Sequence, residues 1–282
     1  KQKDALVFLY DLKGTHFLKI DELDNALAWF KKVPANLSFL KLHEYDYETN
    51  TTKEIEGKFN GYSDISARIF SSNVRSYFED SEEKAMTDEV YKMPEFKFII
   101  SKMNKQQLVE TLIKLKKIAE EKSEAGARAN YLLGNYYYNT SSWGFYRNIL
   151  YYEPGNYYLS YIYKYGNTEA NSLKSPYNYN GGTGITFVNN LQKPYDYYLK
   201  SESLSVYNEL KAKAVFQASK IELDLFFAKQ GDSYFGYGGD YKQLYSKING
   251  PLFAVLKQKY ADTKYYKEIQ SNCLYFKYYL NQ

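Results

Sequence analysis

The side chains that could do chemistry are few and far apart. Histidine occurs only as His16 and His43, and cysteine only as Cys273. A Cys–His nucleophilic pair would have to be assembled from opposite ends of the chain, and nothing in the pattern directs that. A single cysteine makes neither an internal disulfide nor a cysteine-based metal cage, and no His-Glu-x-x-His pattern occurs. His43 stands close to Glu44 and Asp46, but a zinc site there would need a further ligand from elsewhere. The run Gly181-Gly182-Thr183-Gly184 lacks the Lys-Ser/Thr that would reach a phosphate. The run Gly236, Gly238, Gly239 lacks the preceding strand and the spacing of a dinucleotide loop. Paired carboxylates for glycoside chemistry depend on separation in space. Glu222 and Asp224 fall on different sides of a helix, and Glu44, Asp46 and Glu48 alternate along an irregular stretch. The chain therefore reads as a non-enzyme, with no catalytic residue, no metal and no cofactor.

Charge and hydropathy exclude further classes. Lys and Arg total 37 against 33 acids, for a net charge of +4, and the only arginines are Arg68, Arg75, Arg128 and Arg147. Nucleic-acid binders concentrate Lys and Arg on one stripe, with Arg taking phosphates and bases bidentately. Here Lys114, Lys116 and Lys117 are followed at once by Glu120 and Glu121, so no nucleic-acid partner is expected. No apolar run approaches the roughly 18 residues a membrane span needs. The chain opens Lys1-Gln2-Lys3-Asp4, with no initiator Met and no signal peptide, as expected of a mature or trimmed fragment.

Tyrosine is the anomaly, at 34 of 282 residues. Tyr10, Tyr131, Tyr137 and Tyr207 sit at helical spacing, where a large ring fills the gap between helices and its hydroxyl finds a partner. Tyr157, Tyr158, Tyr161, Tyr163 and Tyr165 fall instead in an irregular stretch beyond Trp143. These six are the candidate binding residues, because Tyr and Trp supply large, stiff contact area at low entropic cost.

The elements follow from periodicity and punctuation. Residues 4–33 carry two helical runs, the second expected from Leu23 with Asp21 as N-cap and Pro34 as the stop. Residues 35–96 lack helical period and read as a long irregular insertion, in which Asn50-Thr51-Thr52 suits a hairpin turn. Asn104 and Gln107 resemble a capping box. Leu108, Leu112, Leu115 and Ala119 then mark one helix face, and Ser123 caps the next helix. Residues 143–152 suit a short partner helix. Residues 154–193 form a second, Tyr-rich insertion. Pro194 opens a further helix, residues 205–230 read as one long helix, and residues 241–248, 251–260 and a run capped by Thr263 follow.

These helices repeat a small-residue pattern. Tyr10, Gly14 and Phe17, followed by Ala26, Phe30 and Val33, form one set. Leu133-Gly134 with Tyr137 forms another, and Ala214 with Ala218 suggests a third. Gly or Ala is demanded where two helices cross closely, and aromatics fill the spaces between pairs. The pattern resembles tetratricopeptide repeats; Lys13, where an apolar residue is usual, departs from it. The layout also resembles bacterial cell-envelope repeat proteins with long insertions. The resemblance implies an all-α fold of antiparallel helix pairs stacked as an irregular α-solenoid. Its expected organisation is an N-terminal pair at 1–34, an insertion at 35–96, and a helical region at 97–282 interrupted at 154–193. It also implies a protein-interaction scaffold in the bacterial periplasm or at the outer membrane, with another protein as partner. Glycan binding by a surface lipoprotein through exposed aromatics is the alternative.

Overall fold

The computed structural model of the chain describes residues 2–34, 40–46, 49–57, 64–72, 88–141, 144–150, 191–230 and 250–281. The described part is mainly helical. Helices α1 (Gln2–Lys19) and α2 (Leu23–Phe30) form the N-terminal pair. They are followed by strands β1 (Leu40–Asp46), β2 (Thr51–Gly57) and β3 (Ile65–Ser66), and by 3₁₀ turns at Ala67–Phe70, Val90–Lys92 and Pro94–Phe96. Strand β4 (Lys102–Met103) leads into α3 (Lys105–Ala119) and α4 (Glu124–Asn139). A 3₁₀ turn at Arg147–Leu150 precedes α5 (Gln192–Leu204), α6 (Asn208–Gln230), α7 (Pro251–Lys259), α8 (Lys264–Asn272) and α9 (Leu274–Leu280). From α1 to α7 each helix packs on the next in the chain; α6 also touches α8, which packs on α9. No described helix is long and apolar enough to cross a membrane.

The helix starts are local chemistry. Asn104 and Gln107 complete the capping box at 2.9 Å in both directions. The hydroxyls of Ser123 and Thr263 each accept a first-turn N–H at 3.1 Å. Glu209 of α6 accepts the Lys264 and Tyr265 N–H groups at 2.7 and 3.1 Å, placing a carboxylate at the positive end of α8. Residues 35–96, expected to be irregular, contain a two-stranded antiparallel hairpin that pairs Leu40 with Gly57 through to Asp46 with Thr51. Its turn places Asn50 at φ 55°, a left-handed conformation that Asn tolerates. A second short ladder pairs Ile65 with Met103 and Ser66 with Lys102.

Three expected elements are corrected. The long helix expected from 205 starts later: α5 runs to Leu204, and the Ser205 hydroxyl accepts the Tyr207 N–H at 3.1 Å before α6 begins at Asn208. Residues 144–150, expected within a partner helix, hold only the 3₁₀ turn, because the helix that pairs with α4 is α5. Asp21 does not cap α2. The N-cap position is Glu22, with no side-chain cap bond, and Asp21 sits at φ 66° with its carboxylate turned to other helices. Its Oδ2 accepts from Lys116 at 2.6 Å and from Lys193, and its Oδ1 accepts from the Tyr137 hydroxyl at 2.6 Å. One carboxylate thus joins the α1–α2 turn to α3, α4 and α5.

Two close approaches set the helix spacing. A Cβ on Gly14 would meet the Phe30 ring at 2.6 Å, and one on Gly134 would meet the Tyr198 ring at 2.6 Å. Both rings are buried. Above this seam α6 is covered on two sides. Ala214, Ala218 and Ile221 enter the main core, while Ala212, Val215 and Phe216 join Phe253, Leu256, Ile269 and Phe276 in a second one. Cys273 is a buried small residue in that second core.

Gly134→Ala is expected to lower stability in chemical denaturation. Overpacking costs about 1–3 kcal/mol, against a helix-propensity gain of about 1 kcal/mol. Adding Tyr198→Leu should make the two effects non-additive, and an unchanged or higher midpoint for the single variant would show that the ring yields freely. Asp21→Asn keeps a residue that accepts the left-handed backbone but leaves Lys116 and Lys193 without their anion. A loss of about 1 kcal/mol is expected at pH 7, limited by residual solvent screening. Burial raises the Asp21 carboxyl, but the Lys116, Lys193 and Tyr137 hydrogen bonds outweigh it and hold it below the ordinary value. Its contribution is therefore present above the unfolded value of about 3.9 and lost as pH falls through the folded value. Urea titrations of both proteins at pH 7 and in acid should show the gap closing; a constant gap would contradict the network.

Candidate ligand-binding cleft

Four segments converge beside the β3–β4 ladder to enclose a cleft of about 570 Å³. Its walls are mixed: Ala67, Tyr91 and Phe96 lie buried behind it and Ile99 is half-buried. Its rim is cationic. Arg68 comes from the first 3₁₀ turn and Lys92 from the second, Lys97 follows the third, and Lys102 lies on β4; Ser66 and Ser101 add hydroxyls. Among the described residues no carboxylate lines it. Two described acids lie close by. Glu95 pairs with Arg128 of α4, and Glu89 pairs with Lys92 of the cleft itself. Burial raises the Glu95 carboxyl, and the Arg128 bond overrides it to hold the group below its ordinary value.

Helix α4 holds these non-helical segments in place. The Asn135 amide donates to the Phe70 carbonyl at 2.8 Å. The Asn139 amide donates to the Ile69 and Ser71 carbonyls at 2.9 and 2.7 Å. Two asparagines one turn apart therefore satisfy backbone groups that irregular chain leaves exposed. Ser66 accepts the Arg68 N–H at 3.2 Å, and the Ala67 N–H donates to the Ser101 carbonyl at 3.0 Å, closing the ladder end. On the far side, Asp88 takes the Lys213 ammonium of α6 at 2.6 Å. A volume of this size, with polar and apolar groups in its walls, could hold a small ligand.

None of the residues singled out in the sequence lines this cleft. Tyr10 lies half-buried 5.9 Å from the Trp29 ring, and Lys13, the departure from the repeat pattern, holds its ammonium 4.4 Å over that ring. Gly14, Ala26, Phe30, Leu133, Gly134, Ala214 and Ala218 are buried structural positions, and Phe17 is half-buried. Tyr137 stacks on Tyr197 at 5.4 Å with the ring planes 9° apart. Tyr207, expected as filler between helices, is exposed instead, with the Arg128 guanidinium 5.8 Å from its ring; the break at 205–207 turns it outward. Trp143, Tyr157, Tyr158, Tyr161, Tyr163 and Tyr165 lie outside the described residues, as does the helix expected at 241–248. The three lysines of the cleft recur five residues apart, at 92, 97 and 102. That period matches neither helix nor strand and is the one sequence signal that could have marked them.

The acids considered for catalysis separate. Glu222 accepts from the Tyr195 hydroxyl at 3.3 Å and sits 3.5 Å from the Leu252 N–H, while Asp224 accepts from the Tyr138 hydroxyl at 2.9 Å. They serve different helices and do not face a common substrate position. His16 is exposed beside Phe17. Among the described residues no cluster of His, Cys, Asp or Glu could hold a metal ion. The chain matches no family model, no curated protein and no solved structure.

Burial pushes the Asp224 carboxyl up to about 7, with the Tyr138 bond and Lys220 pulling only partly the other way. A carboxyl raised on folding stabilises below its unfolded value of about 3.9 and loses that contribution as pH rises through the folded value of about 7. Asp224→Asn retains an acceptor for Tyr138 and removes the charge. The variant should gain on the natural chain by about 1–3 kcal/mol between pH 5 and 8, read as the difference of their denaturation midpoints. A difference that does not change with pH would rule out the buried titration.

Proposed function

We propose that the chain is a non-enzymatic protein-interaction scaffold, made of tetratricopeptide-like helix pairs stacked as an α-solenoid and interrupted by insertions. The observation that carries this is the same close contact made twice. Gly14 of α1 receives the Phe30 ring of α2, and Gly134 of α4 receives the Tyr198 ring of α5. The second contact spans the Tyr-rich insertion, so a pair of the same kind is closed around an inserted segment. The sequential packing from α1 to α7 supports this reading, since in a repeat stack each unit packs on the next. The Leu133-Gly134 and Tyr137 positions that carry the resemblance lie on the helix that also anchors the cleft. Stacks of this kind offer a stable frame on which insertions present binding surfaces. The resemblance to bacterial cell-envelope repeat proteins extends the proposal to a partner protein at that envelope.

Cross-linking in the native cell followed by affinity capture of the full chain should recover a defined protein partner that fractionates with the envelope. Recovery of nothing above an untagged control would overturn the scaffold assignment.

A further inference from the structure

We propose that the outer face of α1, with the edge of α2 beside it, seats the chain on an anionic lipid surface. The proposal goes beyond the scaffold assignment and does not depend on the partner protein.

Helix α1 carries apolar residues on both sides. One side packs inward, where Gly14 receives the Phe30 ring and Leu18 joins the main core. The other side carries Leu6, Leu9 and Leu12, and then Ile20, whose N–H still donates to the His16 carbonyl at 3.2 Å. These four are between 40% and 54% exposed. Only seven large apolar side chains stand exposed among the described residues, so more than half of them lie on this one element. Single exposed aliphatics are ordinary, whereas a contiguous row marks a contact surface. At 100° per residue Leu6, Leu9 and Ile20 fall within about 60° of one another, with Lys13 in the same stripe and Leu12 at its margin. The end of a helical stack normally turns a polar face outward; this one does not.

Beside the row stands an aromatic pair with cations on it. The half-buried Tyr10 and Trp29 rings are 5.9 Å apart, and the exposed Lys13 and Lys32 hold their ammonium groups 4.4 and 3.8 Å from the Trp29 ring centre. Trp and Tyr collect at the depth of lipid headgroups, where one part of the ring is in apolar and the other in polar surroundings. Lysine stems lie along apolar surface and raise the ammonium to the wet layer. Two acids of the helix pair face inward: Asp11 pairs with Lys105, and Asp21 with Lys116 and Lys193. Asp24 is exposed, but five positions before Trp29 is about 140° round α2. Glu22 is exposed at the opposite end of α2, about 10 Å along the axis from Trp29, where it accepts the Asn25 amide at 2.7 Å. The end of the face that holds Leu6, Leu9, Lys13, Trp29 and Lys32 is therefore cationic and apolar together.

That combination favours a bilayer over a second copy of the chain. Lys13 stands within the leucine row, so two copies packed face to face would enclose ammonium groups in an apolar interface. Four half-exposed aliphatic side chains also fall short of the about 800 Å² per partner that a stable dimer buries. A bilayer surface takes both kinds of group: the leucines enter the acyl boundary shallowly, and the ammonium groups stay among the headgroup phosphates.

The test is flotation of the full chain at low salt with mixed phosphatidylglycerol–phosphatidylcholine vesicles, beside vesicles of phosphatidylcholine alone. The chain should float with the mixed vesicles, and partition should fall about threefold or more on raising salt to physiological strength. Leu6→Ser/Leu9→Ser should weaken partition by about tenfold or more, with an unchanged helical signal in circular dichroism because both sites are exposed. Lys13→Gln/Lys32→Gln should lower binding to the mixed vesicles only. Val206→Ser, at an exposed apolar site on the α5–α6 break, should float like the natural chain. With Trp143→Phe, Trp29 is the sole tryptophan, and its emission should move to shorter wavelength on vesicles and be quenched by brominated lipid; this reads the face directly if the leucine variant misfolds. Absence of flotation, equal partition of the leucine variant, or Trp29 emission that stays fixed while the chain floats would each overturn the proposal. So would a dimer, seen by sedimentation, that the leucine variant abolishes, since a second copy would then cover the face. The vesicles hold no protein, so this result and native-cell capture of a partner can fail separately.

Discussion

Much of the described structure hangs on the Tyr198 ring lying against the bare backbone of Gly134. The contact sets how closely α5 approaches α4, and at that distance the Tyr198 hydroxyl reaches the Asn135 side-chain oxygen at 2.8 Å. With that oxygen engaged, the amide nitrogen of Asn135 is left to donate to the Phe70 carbonyl. The 3₁₀ turn so anchored carries Arg68 to the cleft. A missing Cβ on one helix is thereby linked, through one ring and one amide, to a cationic group on a segment with no helix of its own. The interior is close-packed, so displacement at the first step passes to the last.

Several of the described tyrosines work as connectors as well as filler. A buried ring covers apolar area while its hydroxyl travels a ring's length to a polar group on another element. Tyr137 and Tyr138 are adjacent on α4, so their side chains diverge by about 100°. One reaches Asp21 in the α1–α2 turn and the other Asp224 on α6. Tyr195 does the same with Glu222, and Tyr260 with Glu202 at 2.6 Å. Tyr131 meets the Ser72 hydroxyl at 2.6 Å. Each such pair ties two separate segments of the chain together with direction as well as area.

The sequence disclosed what is decided locally. Asn104, Ser123 and Thr263 cap helices because a hydroxyl or amide and the N–H it serves lie within one turn. The glycines at 14 and 134 could be recognised as crossing points because small residues recur in a pattern with aromatics. Long-range partners were not legible. Asp21 looks like a cap, and only the fold brings it to Lys116, Tyr137 and Lys193. The usual spacing of a repeat puts the partner helix of α4 in the residues directly after it, whereas the fold supplies α5. The cleft residues are scattered over irregular segments whose placement depends on Asn135 and Asn139, so neither charge counting nor periodicity gathers them.

Asp11 and Lys105 are 0% and 1% exposed, 3.3 Å apart and 94 residues from one another, with the Thr15 hydroxyl completing the Lys105 site at 2.7 Å. Burial lowers the Lys105 ammonium and Asp11 opposes that shift. An unpaired charge is expensive in such a place, and this has a consequence for synthesis. When α1 and α2 leave the ribosome, the cation that Asp11 needs has yet to be translated. Until α3 arrives, water is the better partner for that carboxylate, and the first helix pair stays loosely closed. The amino-terminal end of this chain is made first and locked late.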